Sequence, residues 1–329
     1  MLQFPNFDPV AVSLGPFDLM GKTLGPLEVH WYGIMYMLAF LSAWLLALYR
    51  SGKPHSPVTK VEVENLITYG AFGVILGGRV GYVIFYNFDR WMSDPLWLFR
   101  IWEGGMCFHG GLIGVLLAMY VYAHRIRVPY LALMDFVAPL VPLGLGFGRL
   151  GNFIGQELWG RVSDVPWAMV FPKAGDPAGI ARHPSQLYQA TLEGLVMFIV
   201  LFWFSAKPRP RGAVGGLFLV LYACFRSLVE NFREPDADIG FDLLGFITRG
   251  QLLSLPMFIA GFGLLGPPDQ PTASPFSFFP ANKSAMFELS PNINNDGIVY
   301  TCPGSNQRSI SLKNRSTGTP VTSFFNNGS

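Results

Sequence analysis

Residues 131–153 read LALMDFVAPLVPLGLGFGRLGNF, with Asp135 and Arg149 as their only ionisable side chains. A helix needs roughly 20 mainly apolar residues to cross a bilayer, and about 17–25 are tolerated. The apolar residues of this run go all round the helix, so lipid or a surrounding bundle must cover it. Six further stretches qualify in the same way, at about 29–49, 66–86, 106–123, 187–206, 213–230 and 247–265. Residues 91–102, WMSDPLWLFRIW, are too short and too charged to cross, and their tryptophans suit an interfacial or re-entrant piece. The sequence therefore predicts an all-α polytopic membrane protein with seven transmembrane helices.

Composition agrees. Of 329 residues, 51% are hydrophobic and 13% charged, whereas soluble domains carry about 25% charged residues. That excludes a disordered protein, a nucleic-acid binder and a soluble enzyme on one anchor. A net charge of +2 names no anionic partner, so the placement of charge carries the argument. The short loops 50–60, 124–130 and 207–212 hold 8 basic and no acidic residues in 24 positions. The segments 1–28, 87–105, 155–186 and 231–248 hold 7 basic and 13 acidic residues in 97. By the positive-inside rule the N-terminus is outside, the C-terminus cytoplasmic, and the loop at about 155–186 periplasmic. No cleavable signal peptide is expected, since the first 25 residues lack a basic n-region and are broken by Pro5, Pro9 and Pro16. The cysteines at 107, 224 and 302 form neither a disulfide framework nor a metal-spaced pair. The chain divides into a transmembrane catalytic domain, 1–265, and a polar tail, 266–329. Ser, Thr, Asn, Pro and Gly fill 36 of the tail's 64 positions, which reads as a disordered or weakly structured appendage.

Ionisable groups inside a span are costly, so each is a functional candidate. They are Arg79, His109, Asp135, Arg149, Glu193, Arg226 and Glu230. Asp135 and Glu193 read as structural. Arg226 and Glu230 stand four residues apart on one helix face and can neutralise each other. The denser signal is 142–160, PLGLGFGRLGNFIGQELWG, where six glycines surround Arg149, Asn152 and Glu157. Such glycines serve close helix packing, or they let backbone N–H groups approach a ligand. An arginine among them, at the outer end of a span, fits bidentate recognition of a lipid phosphate. His109, flanked by glycines at the same level, is a candidate base or headgroup-orienting group. Cys107 and His109, two apart on a helix, do not face each other, which argues against a Cys–His dyad.

The run Gly148-Arg149-Leu150-Gly151-Asn152-Phe153, followed by Glu157 and Gly160, resembles the signature of the prolipoprotein diacylglyceryl transferase family. Further stretches match in family order: His30–Gly33 (HWYG), Gly78–Tyr82 (GRVGY), His109–Gly114 (HGGLIG), His183–Tyr188 (HPSQLY) and Arg226 with Glu230–Asp236 (ENFREPD). The resemblance covers residues 5–265. This chain has Gly155 where the family usually has Asn, Cys107 where Ser is common and Gln189 where Glu is frequent.

The resemblance implies transfer of an sn-1,2-diacylglyceryl group from phosphatidylglycerol to the lipobox cysteine of a prolipoprotein signal peptide, in the bacterial inner membrane near the outer leaflet. It implies His109, Arg149 and Arg226 as catalytic residues, and Tyr32, Arg79, Asn152, Glu157, Gly160, Tyr222 and Glu230 as substrate-binding. No metal or dissociable cofactor is expected, and no nucleic-acid partner; membrane lipids are the remaining partners. The competing reading from the residues alone is an anionic-lipid transporter or flippase, which would use the same arginines but usually shows an internal repeat.

Overall fold

The computed structural model describes residues 2–19, 22–177, 179–234, 241–243, 247–265 and four strands between 291 and 324. The described helices are α1 (Trp31–Ser51), α2 (Lys60–Tyr86), α3 (Phe88–Ser93), α4 (Phe108–Arg125), α5 (Tyr130–Val137), α6 (Val141–Gly155), α7 (Ser185–Gln189), α8 (Met197–Phe204), α9 (Ala213–Glu230) and α10 (Arg249–Leu265). Short 3-10 or π turns join α5 to α6 and α7 to α8. Five helical runs are long and apolar enough to cross a membrane: α1, α2, Tyr130–Gly155, Ser185–Phe204 and α9. Helix also fills the other two predicted stretches, but α4 ends in His124 and Arg125 and α10 has only 17 residues.

Local chemistry explains where the elements begin and bend. Helix α2 starts at Lys60, earlier than hydropathy suggests, because the Glu62 carboxylate accepts from both the N–H and the hydroxyl of Thr59 at 2.8 Å. In the run 130–155, Pro139 has no N–H to offer the carbonyl of Asp135. A 3-10 turn, Ala138–Leu140, forms there, and Arg50 Nη2 donates to the Asp135 carbonyl instead, at 3.4 Å.

Glycine contacts fix how the helices run against one another. Gly73 meets Gly114, and Gly77 and Gly81 both meet Gly110, so α2 and α4 are antiparallel with backbones too close for any Cβ. Gly216 meets Gly261 while Gly250 faces Glu230, so α9 and α10 are antiparallel too. Gly151 lies against Tyr32 and Gly144 against Ala39, which pairs α1 antiparallel with α6. The start of α1, the ends of α6 and α9 and the start of α7 therefore share one end of the bundle. The other end carries the basic loops, above a core of Leu66, Met119, Tyr122, Leu133 and Phe136.

The molecule is mostly helical rather than all-α. Val10–Leu14 pairs antiparallel with Leu27–His30, Phe17–Leu19 with Lys22–Leu24, and Leu2–Gln3 runs parallel to Met169–Val170. Pairings of two to five residues fall below the length that a span-scale hydropathy reading detects. Residues 91–102 form no helix of spanning length: they make up the end of α3 and two 3-10 turns. Residues 270–329 are a separate compact unit. Its described strands, Pro291–Asn294, Gly297–Tyr300, Ser309–Lys313 and Pro320–Phe324, form an antiparallel sheet in sequence order, and its other residues lie outside those described.

Candidate active site

Arg149 sits in the last two turns of α6, beside Gly148, where an added Cβ would meet nothing within 4 Å. One face of the cluster around it is α9, with Tyr222, Arg226 and Glu230. Arg226 Nη2 lies 3.0 Å from Glu230 Oε2, and Arg233 Nη1 lies 3.8 Å from the same oxygen. Arg226 Nη1 is buried and has no hydrogen-bond partner among the described residues.

The other face is the π-helical turn Ala190–Val196, whose extra residue per turn aims Glu193 at the arginines. Glu193 is 0% exposed, and neither of its oxygens has a hydrogen bond among the described residues. It interacts electrostatically with Arg149, Arg226, Arg233 and Glu230, and Tyr222 with Glu193, Arg226, Arg149 and Glu230. Gly194 of this turn packs on Gly146, so this part of the glycine run serves helix packing. Gln186 and Gln189 continue the buried polar stripe from Glu193 toward the loop. Their spacing of three and four residues in an apolar segment is the sequence signal for that stripe.

Tyr32, at the start of α1, reaches this end of α6. Its ring meets Gly151, its hydroxyl lies 3.5 Å from that of Tyr36, and it interacts electrostatically with Arg149 and Glu157. Asn152 Nδ2 donates to Glu157 Oε2 at 3.3 Å. Gln186 Nε2 donates to the Glu157 carbonyl at 2.6 Å and Ser185 Oγ to the Leu158 carbonyl at 2.9 Å, so the HPSQ segment clamps the turn that follows α6.

Two predicted substrate-binding residues are committed to the framework. All three nitrogens of the buried Arg79 guanidinium donate to carbonyls of Trp97, Leu98, Arg100 and Gly104, with the Trp97 ring stacked at 4.6 Å. This holds segment 95–104 as a compact loop against α2. At Gly160 an added Cβ would stand 2.5 Å from the Phe232 carbonyl and 2.6 Å from that of His183, so that position closes the loop onto the end of α9.

His109 is on the first turn of α4 at the same end, exposed, with the Phe108 ring at 5.7 Å as its aromatic neighbour. No described contact joins it to Arg149 or Arg226. Above the cluster, Arg182 binds Asp176 through two bonds of 2.6 and 2.9 Å and Glu234 at 3.1 Å. The Arg182 guanidinium holds the Asp176 carboxyl below the usual carboxylate range, and burial pushes the His183 imidazole down. An open apolar groove of about 230 Å³ adjoins the cluster, lined by Tyr188, Thr191, Leu192, Leu228, Val229 and Phe232.

The sequence profile described as prolipoprotein diacylglyceryl transferase matches residues 20–266. The chain belongs to the prolipoprotein diacylglyceryl transferase family. Among family members named phosphatidylglycerol–prolipoprotein diacylglyceryl transferase, one from Teredinibacter turnerae is 64% identical over 261 residues, 79% of this chain and 90% of the relative. One from Acinetobacter baylyi is 54% identical over 268 residues, 80% of this chain and 93% of the relative. One from Coxiella burnetii is 54% identical over 261 residues, covering 79% and 95%. The transferase profile spans the whole arginine–carboxylate cluster and stops where the polar tail begins.

Proposed function

We propose that this chain transfers the sn-1,2-diacylglyceryl group of phosphatidylglycerol to the lipobox cysteine thiol of a prolipoprotein signal peptide. The observation that carries the reading is a half-buried arginine cluster inside the family signature, in which the buried Arg226 Nη1 has no hydrogen-bond partner among the described residues. A phosphate between Arg149 and Arg226 would accept from Arg226 Nη1, and both guanidiniums would stabilise the charge that develops as glycerol phosphate leaves. The thiolate sulfur attacks the glycerol carbon that bears the phosphate oxygen. A C–S bond forms, the C–O bond breaks, and the electron pair departs on the phosphate. An unperturbed thiol has a pKa of about 8.5, so a base is needed, and His109 takes the proton. Exposed on the first turn of α4, its imidazole is open to the incoming cysteine.

Tyr32, Asn152, Glu157, Tyr222 and Glu230 orient the headgroup and the arginines. Arg79 and Gly160 act through the loops they hold, and the apolar groove takes acyl chain. In this reading the seven helical stretches all cross the bacterial inner membrane. The N-terminus is outside, the cluster lies near the outer leaflet, and residues 266–329 take no part in the reaction.

The test is incubation of the purified chain with phosphatidylglycerol and a lipobox peptide. The expected products are a thioether-linked peptide and glycerol phosphate in equal amounts. Folded protein that moves lipid across a bilayer and makes no thioether would instead support the transporter reading.

A further inference from the structure

At the basic end of the bundle, a cavity of about 280 Å³ opens between the end of α1, α5, the end of α8 and the start of α9. Arg50, Lys53, Lys207, Arg209 and Arg211 line it, with Asp135 as its one acid. Both Asp135 oxygens are already engaged, by the N–H groups of Gly212 at 2.6 Å and Gly215 at 2.8 Å. Among the described residues none of the five cations forms a salt bridge. Arg50 gives Nη1 to Ser205 Oγ at 2.6 Å and Nη2 to the Asp135 carbonyl at 3.4 Å, yet its buried Nε has no partner among the described residues. Arg209 and Lys53 lie over the rings of Phe204 and Tyr49. The positive-inside bias accounts for a basic end, but not for five of its eight cations converging on one cavity. Tyr49, Phe136 and Phe202 add an apolar wall suited to the glycerol backbone beneath a headgroup. Arg226 stands twelve positions beyond Val214, which lies at this cavity, and so about 18 Å along α9.

We propose that this cavity is a second phosphate site, which holds the headgroup of an anionic phospholipid from the leaflet at the basic end. It is independent of the reaction chemistry at the other end of α9. Basic pockets between helices recognise such headgroups, each nearby cation contributing about fivefold in affinity.

The test uses the full chain in nanodiscs with phosphatidic acid that carries a photoactivatable group beside the phosphate, and maps crosslinks by peptide mass. Crosslinks are expected in 49–57 and 202–214, and are not expected with a phosphatidylcholine analogue. The variant Lys53→Gln/Lys207→Gln/Arg211→Gln changes only exposed side chains. It should weaken this labelling roughly 100-fold in apparent affinity. The variant Lys60→Gln/Arg125→Gln/Arg127→Gln removes the same charge from the same end outside the cavity, and should label within about threefold of the parent. Equal losses in both variants would reduce the cavity to diffuse surface charge and overturn the proposal. So would unchanged labelling in the first. Displacement of the lipid by millimolar inorganic phosphate would assign the cavity to a soluble phosphate, which also overturns it. Turnover is not read, so failure here leaves the transferase reading standing.

Discussion

Arg149 is where charge and geometry can be separated. A lysine keeps the charge but loses the planar two-point fork. If Arg149 grips phosphate in the transition state, Arg149→Lys should insert and fold yet lose roughly 30- to 1000-fold in kcat/KM, the equivalent of about 2–4 kcal/mol. Near-parental turnover in the lipobox-peptide assay would remove it from the phosphate site. Glu193→Gln is the companion experiment. It leaves the volume of the buried side chain but replaces the carboxyl group that interacts electrostatically with Arg149 and Arg226. A fall in kcat of about tenfold or more is expected with little change in melting temperature. Asp135→Asn should behave in the opposite sense, because Asp135 caps the backbone of α9 and costs stability more than rate. The arginines were legible in the sequence because a guanidinium in an apolar run stands out. The place of Glu193 beside them was not, since its partners come from α6 and α9 and no periodicity reports a neighbour from another helix. Arg79 and Gly160 show the converse: a signature residue can be committed to backbone carbonyls, and only the fold reveals that.

Among elements, the layer at 155–186 answers to pH. His183 and Asp176 both have folded pKa values below their unfolded ones, so the folded layer binds fewer protons than the unfolded chain. Its stability is full at neutral pH and falls on acidification. The His183 contribution fades first, below about 6.5, and that of Asp176 only below about 3.9. Hydrogen exchange at 160–183, corrected for the intrinsic rate, should show protection lost in that order; rising protection at low pH would contradict the assignment. The α2–α4 contact makes a second prediction. Gly110→Val puts a branched side chain where Gly77 and Gly81 leave no room. It should destabilise the protein by about 1–3 kcal/mol, read as a lower melting temperature in detergent. Helix positions were largely readable from hydropathy. Antiparallel pairing through glycines was only hinted at, because spacing names a smooth face without naming its partner.

For the whole molecule, the proposed topology predicts that a reporter active only in the cytoplasm works when fused after Lys53, Arg127 or Arg211 and fails within 155–186. Cytoplasmic signal from that loop would put the arginine cluster in the wrong leaflet. What hydropathy could not supply at this scale were the short strands and the loop that Arg79 clasps, whose bonds join residues 18 to 25 apart through the main chain. That clasp also bears on biogenesis. Every carbonyl it needs is synthesised within a few seconds of Arg79 itself, at about 5–20 residues per second. The α2–loop–α4 segment can therefore lock before the helices bearing Arg149 and Arg226 have left the ribosome. The second half of the chain then docks onto a finished wall, so the order of synthesis becomes the order of assembly.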